Sequence, residues 1–161
     1  MLSCLIRSII TCDQWSCIPC SNNIIIRFCI VANAAIYNTS SYEEQRKTGI
    51  GFANPENNFF SFYNGDILVG FSNLYEEDTE MFFGIGVNPA FCNRGYGQQI
   101  TKQTISLSHT LYPDKPLYLE VRTWNKHAVR CYEKAGFKIV GEPIRQSTHI
   151  GEGTFYHMLA E

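Results

Sequence analysis

Residues Met81 to Thr110 read MFFGIGVNPAFCNRGYGQQITKQTISLSHT, and the order of residue types along them decides the fold. Met81 to Val87 is short, uncharged and mostly apolar, the pattern of a buried strand. Asn88-Pro89 ends it, because Pro89 has no N–H for a ladder and restricts the residue before it. Gly95 and Gly97 let the backbone come close to another group. A helix follows from about Gln98. Its apolar positions Ile100, Thr104 (through its methyl), Leu107 and Leu111 recur at spacings of 4, 3 and 4, one face of an α-helix, and Pro113 and Pro116 stop it. A glycine turn that opens a helix aims unpaired N–H groups and the positive end of the helix dipole at one point, which suits a phosphate or pyrophosphate. By itself Gly-x-Gly reads as a plain tight turn, so its surroundings have to decide.

Leu117 to Phe137, LYLEVRTWNKHAVRCYEKAGF, has the same strand-turn-helix order. Leu117 to Arg122 is rich in apolar and β-favouring residues. Asn125 is a good N-cap, Ala128, Val129, Tyr132 and Ala135 form the inner face of a short helix, and Gly136 ends it.

Together these stretches resemble the acetyl-CoA site of the GNAT N-acetyltransferase superfamily, from about Phe59 onward. The pattern Gln/Arg-x-x-Gly-x-Gly/Ala after Val-x-Pro stands here as Cys92-Asn93-Arg94-Gly95-Tyr96-Gly97 after Val87-Asn88-Pro89. Cys92 replaces the usual Gln or Arg, which removes a side chain and leaves the backbone donors. The turn also differs from the three-glycine dinucleotide fingerprint. The resemblance implies an α/β (α+β) fold, a mixed, mostly antiparallel sheet with helices on both faces. It implies that the strands Met81 to Val87 and Leu117 to Arg122 splay apart around a pantetheine arm, with Ile85 and Val87 offering backbone groups and Asn125 belonging to the second cofactor motif.

The bulk numbers agree with a globular chain. At 161 residues one domain is expected over 1–161, with 45% hydrophobic and 17% charged residues. Net charge is −2 with no basic cluster, so no nucleic-acid partner is expected. Met1 to Ile10 and Ile24 to Ile36 are apolar but short and carry Arg7 and Arg27; neither reads as a membrane span, and Arg7 interrupts any signal-peptide pattern. A cytoplasmic protein is expected; its oligomeric state is not legible. Five of the seven cysteines lie at positions 4, 12, 17, 20 and 29. Cys17-x-x-Cys20 has no second pair to complete a zinc site, so reduced thiols and no metal are expected.

The first third is less patterned. Leu2 to Ile10 reads as a first strand, and Ile24 to Ile36 is ambiguous: Ile24-Ile25-Ile26 favours strand and Val31-Ala32-Asn33-Ala34-Ala35 favours helix, with the family's element order tipping it to helix. Tyr42 to Lys47 is helical or exposed and Asn54 to Asn58 is a loop. Phe59 to Tyr63, an Asn64-Gly65 turn and Ile67 to Tyr75 form a hairpin. Phe137 to Gly141 is a strand, Pro143 to Gly153 a loop and Thr154 to Leu159 the last strand.

Acetyl transfer to an amine needs deprotonation of the amine, polarisation of the thioester carbonyl, departure of the thiolate and alignment of the two substrates. The resemblance assigns protonation of the leaving thiolate to Tyr132; by pattern alone it is a core aromatic. Glu120, twelve residues earlier, stands where ribosomal-protein alanine N-acetyltransferases of the superfamily carry their proposed base. A Glu in an apolar strand can have its pKa raised toward neutrality; equally, it can be an exposed Glu paired with Arg122. Glu80 is the rival base and His157 a third, and an ordered water could replace any of them. The Asn-Tyr-Tyr type segment of the alanine-specific subgroup is replaced by Gln146 to Gly153, which leaves a small amine, antibiotic, polyamine or amino acid as acceptor beside a peptide. The competing classes are an acetyl-CoA-dependent N-acetyltransferase, a non-catalytic acyl-CoA binding or sensing module, and, more weakly, a nucleotide-binding protein.

Overall fold

The computed structural model describes residues 18–19, 24–28, 47, 57–148 and 151–161. Asn57–Asn64 (β3) and Ile67–Glu76 (β4) form the hairpin that Asn64-Gly65 predicts, with Gly65 at φ 60. Ahead of them lie Ile18–Pro19 (β1) and Ile24–Phe28 (β2). Met81–Val87 (β5) follows, then a 3-10 turn at Pro89–Phe91 and the helix Tyr96–Leu111 (α1). Leu117–Arg122 (β6), Lys126–Ala135 (α2), Phe137–Thr148 (β7) and Gly151–Ala160 (β8) complete the described order. The sheet runs β1-β2-β3-β4-β5-β6-β8-β7, antiparallel throughout except for the parallel β5–β6 pair. This is the mixed, mostly antiparallel α/β architecture expected.

Four readings need correction. Ile24–Phe28 is a strand, not part of a helix, because the β-branched run pairs with Phe60 to Asn64 on β3; residues 29–36 lie outside the described ones. The loop from Pro143 to Gly153 is largely strand. Composition misled there because Gly141 (φ 71) and Pro143 mark an irregularity between Val140 and Ile144, and an edge strand tolerates proline at such a point. The Asn54 to Asn58 loop gives up its last two residues to β3. α1 starts at Tyr96, two residues before the expected Gln98. The strand expected over Leu2 to Ile10 lies outside the described residues, as does Tyr42 to Lys47 apart from Lys47, which is helical.

The core lies between the sheet and the two described helices. Phe60, Phe62, Leu74, Met81, Phe83, Leu117, Leu119, Val121, Phe137 and Met158 meet Ile100 of α1 and Val129 of α2. Phe83 and Phe137 stack at 5.8 Å. Each such buried Phe is worth about 1.5–3 kcal/mol. The inner face of α1 is more polar than its apolar spacing suggested: Thr101, Thr104 and Ser108 are buried with Ile100, while Leu107 and Leu111 are only partly covered. Thr101 and Thr104 donate to the carbonyls of Gly97 and Ile100, and Thr104 also reaches Ser72 on β4 at 2.8 Å. Gly70 on β4 permits this close seat, since a Cβ there would stand 2.6 Å from both Gly86 O and Ile100 Cδ1.

Candidate active site

β5 and β6 pair only at Met81↔Leu117 and Phe82↔Tyr118, whereas β5 pairs with β4 along its whole length. Beyond Phe82 the two parallel strands separate, so the sheet opens into a V next to the glycine turn. On the helix side the opening continues into a cleft of about 590 Å³. Ile85 and Val87 of β5 form one wall, Cys92, Asn93, Gly95, Gly97 and Gln98 its end, and α2 the other wall.

The turn at the end of the cleft holds two left-handed residues, Asn93 (φ 62) and Gly95 (φ 82). Asn tolerates this region better than other side chains and glycine adopts it without steric cost. Gly95 is the N-cap of α1 and offers no side-chain hydrogen bond to the first turn. The first turn of this 16-residue helix therefore has no side-chain cap where Gly95, Gly97 and Gln98 line the cleft end, an arrangement whose open donors and dipole suit an anion. Gly97 packs against α2: a Cβ there would lie 3.2 Å from Cys131 Sγ and 3.6 Å from Val87.

α2 is closed at its start. Asn125 Oδ1 accepts the Ala128 N–H at 3.2 Å, and Gly136 ends the helix at φ 117. Asn125, Ala128 and Tyr132 line the cleft on one stripe; His127, Arg130 and Lys134 line its outer part at i, i+3 and i+7. Tyr132 packs edge-on against Phe137 at 6.3 Å. Burial, and to a lesser degree the neighbouring Cys131, push its pKa up to about 12, so its hydroxyl keeps its proton at neutral pH. Burial also raises the Cys131 thiol.

The other face of the sheet presents Tyr118, Glu120 and Arg122, because β6 alternates and its odd residues are buried against the helices. Glu120 stands two residues past the last β5–β6 pair, where the V opens. Its Oε1 accepts from Gln146 Nε2 at 2.6 Å. Arg122 does not supply that contact: it donates to Thr148 Oγ1 and to the carbonyls of Gly151 and Glu152, and lies over the Phe155 ring. His157 is opposite Glu120 on β8 and stacks on Tyr118 at 4.8 Å. Glu80 precedes β5 at the closed end of the V. Burial, the hydrogen bond to Glu77 and the charges of Glu77, Glu120 and Glu80 drive the Tyr118 phenol well above its ordinary pKa.

Of the residues singled out from sequence, Ile85, Val87, Cys92, Asn93, Gly95, Gly97, Asn125 and Tyr132 line one cleft. Arg94 and Tyr96 do not: Arg94 lies over the Phe91 ring and the Tyr96 hydroxyl accepts from Asn64. Glu120 is at the mouth of the V on the opposite face, and Glu80 at its closed end. Gln98, His127, Arg130, Cys131 and Lys134 were missed. The 127, 130, 134 spacing was the available signal, since it follows from the Asn125 cap. Among the described residues no cluster of three or more His, Cys, Asp or Glu could hold a metal, and no helix is long and apolar enough to cross a membrane. Cys92 and Cys131, the described cysteines, are free thiols.

The chain is 31% identical over 99 residues to the N-alpha-acetyltransferase RimI of Mycobacterium tuberculosis, a match covering 55% of this chain and 57% of that protein. It is 32% identical over 93 residues to the spermine/spermidine N(1)-acetyltransferase of Bacillus subtilis, covering 50% of this chain and 59% of that one. The matched stretch thus spans a little over half of these relatives. The spermidine N-acetyltransferase of Vibrio cholerae in complex with CoA and spermine has the same fold, with a TM-score of 0.69 over 86% of this chain and 95% of that one at 18% identity. The ribosomal-protein-S18-alanine N-acetyltransferase of Escherichia coli gives 0.66 over 85% and 92%, at 20% identity. The family model for the acetyltransferase (GNAT) family matches residues 24–137, more than half of the chain, and the protein belongs to that family.

Proposed function

We propose that the protein is an acetyl-CoA-dependent N-acetyltransferase that moves the acetyl group to a primary amine of a small molecule or peptide. The observation that carries this reading is the V between β5 and β6, which joins the uncapped end of α1 to Tyr132 on one face and to Glu120 on the other. The residues fit the cosubstrate: an open helix N-terminus for a pyrophosphate, a narrow wall of Ile85 and Val87 for an extended arm, and a protonated phenol beyond. Acetyl-CoA supplies the activated acetyl thioester. Glu120 takes a proton from the acceptor ammonium at the mouth of the V. Tyr132 Oη donates its proton toward the departing sulfur. The strand edges hold the reacting groups in line, where positioning alone is worth orders of magnitude in rate.

The matched relatives are named for a polyamine and for a protein N-terminus, and both are amines. We read residues 1–161 as one N-acetyltransferase domain, because the described sheet runs from Ile18 to Ala160. A reducing, cytoplasmic setting suits the free thiols of Cys92 and Cys131. Coenzyme A release measured across an amine panel tests the function. Release that depends on an amine supports transfer. Tight acetyl-CoA binding without release under any amine points to a binding module, and ATP competing as well as acetyl-CoA points to a different phosphate ligand.

A further inference from the structure

We propose that Gln146 is the positioning residue for Glu120: from the tip of the β7–β8 hairpin its side-chain amide holds one carboxylate oxygen and leaves the other facing the acceptor amine. This rests on Glu120 being the base. A carboxylate only accepts, so the 2.6 Å contact requires Gln146 to donate its N–H.

The contact is built by the hairpin rather than by neighbours on β6. Gln146 is opposite Gly153 on β8, while Glu120 is opposite His157, so the tip must lean back along the sheet to bring the two together. Arg122 holds it there through Thr148, Gly151 and Glu152. Gly153 makes room, since a Cβ would meet the Arg122 guanidinium, with Cζ at 2.9 Å. Arg122 is thereby occupied, and Glu120 receives a neutral donor in place of an arginine.

That substitution has a chemical consequence. An ion pair with arginine would stabilise the carboxylate strongly and weaken it as a base. A neutral amide fixes its direction with a smaller effect on basicity. The other titratable groups around Glu120 are Tyr118 and Arg122 on β6, His157 on β8, Glu77 and Glu80 beyond Tyr118, and the Arg145–Glu152 pair at the hairpin tip, 2.5 Å apart.

Gln146→Leu removes the donor and keeps the apolar stem. We expect kcat to fall about tenfold through loss of alignment, with KM for acetyl-CoA unchanged. KM for the acceptor amine should change less than kcat, since the contact directs the base and does not bind the acceptor. Gln146→Met, unbranched and of similar length, removes the donor with less change of packing and should lose the same turnover. If Gln146→Leu fails to fold, the Met variant carries the test. Glu120→Gln serves as the reference. A wild-type rate and profile for Glu120→Gln removes the base assignment itself. A crippled Glu120→Gln beside Gln146 variants that turn over at the wild-type rate overturns the positioning role alone.

Discussion

The two helices that meet at the cleft begin in opposite ways. α2 starts with Asn125, whose side chain takes up the Ala128 N–H. α1 starts with Gly95, which has no side chain to give and sits at φ 82, two residues after Asn93 at φ 62. Glycine in place of a capping side chain costs only about a few tenths of a kcal/mol, so α1 leaves its first donors open at little cost in stability. The difference makes sense if another group satisfies the donors of α1. The closed helix contributes through side chains along its wall; the open helix contributes through its backbone.

Tyr132→Phe tests the side-chain half of that contrast and carries the largest expected effect. It keeps the ring against Phe137 and removes only the hydroxyl, so folding should change little. Loss of a positioned acid should lower kcat about 10²-fold or more, with Kd for acetyl-CoA within a few-fold. Since the phenol is pushed up to about 12, the wild-type kcat profile should show no loss from its ionisation below about pH 11. Near-wild-type turnover would return Tyr132 to being a core aromatic.

Gly97→Val tests the backbone half. Calorimetry should show acetyl-CoA binding at least about tenfold weaker, because the branched side chain stands at the cleft end and presses on Cys131. Gly97→Val combined with Cys131→Ala separates the causes. If the space left by Cys131 restores binding, the glycine serves helix packing; if binding stays weak, it serves the ligand.

Both helix starts were legible because their signals are local. Asn125 and Gly136 bracket ten helical residues by capping chemistry alone, and Gly95-Tyr96-Gly97 after Pro89 marks an opened helix. What failed depended on distant partners. Ile24 to Phe28 could be strand or helix until β3 offered a ladder. Pro143 reads as loop unless the strand is known to lie at the sheet edge. The Gln146–Glu120 contact joins residues 26 apart through a leaning hairpin, and no periodicity announces it.

Asn125→Ala sharpens the comparison from the stable side. It should lower unfolding free energy by about 1 kcal/mol, read as a shift in the denaturation midpoint, while acetyl-CoA affinity changes less than for Gly97→Val. Equal damage to affinity would make the Asn125 side chain a ligand contact as well as a cap.

The smallest expected effect lies on the rim. Arg130 and Lys134 are one turn apart on α2, exposed, and line the outer cleft with His127. They carry charge where α1 offers only a half-charge of its dipole. Exposed cations are screened by salt over about 8–10 Å, so each should add modestly to the binding of a polyanion. Arg130→Ala and Lys134→Ala should each weaken acetyl-CoA binding by roughly two- to threefold at low salt, as expected of a screened surface charge. The differences should shrink as salt is raised, while the Gly97→Val defect, being steric, should persist. Acetyl-dephospho-CoA locates the charge that the rim reads. If the variants lose affinity for acetyl-CoA but not for the dephospho form, the rim holds the terminal phosphate; if they lose both alike, it reinforces the pyrophosphate site at α1. Unchanged affinity for either ligand at low salt would leave the open helix end as the whole anion site.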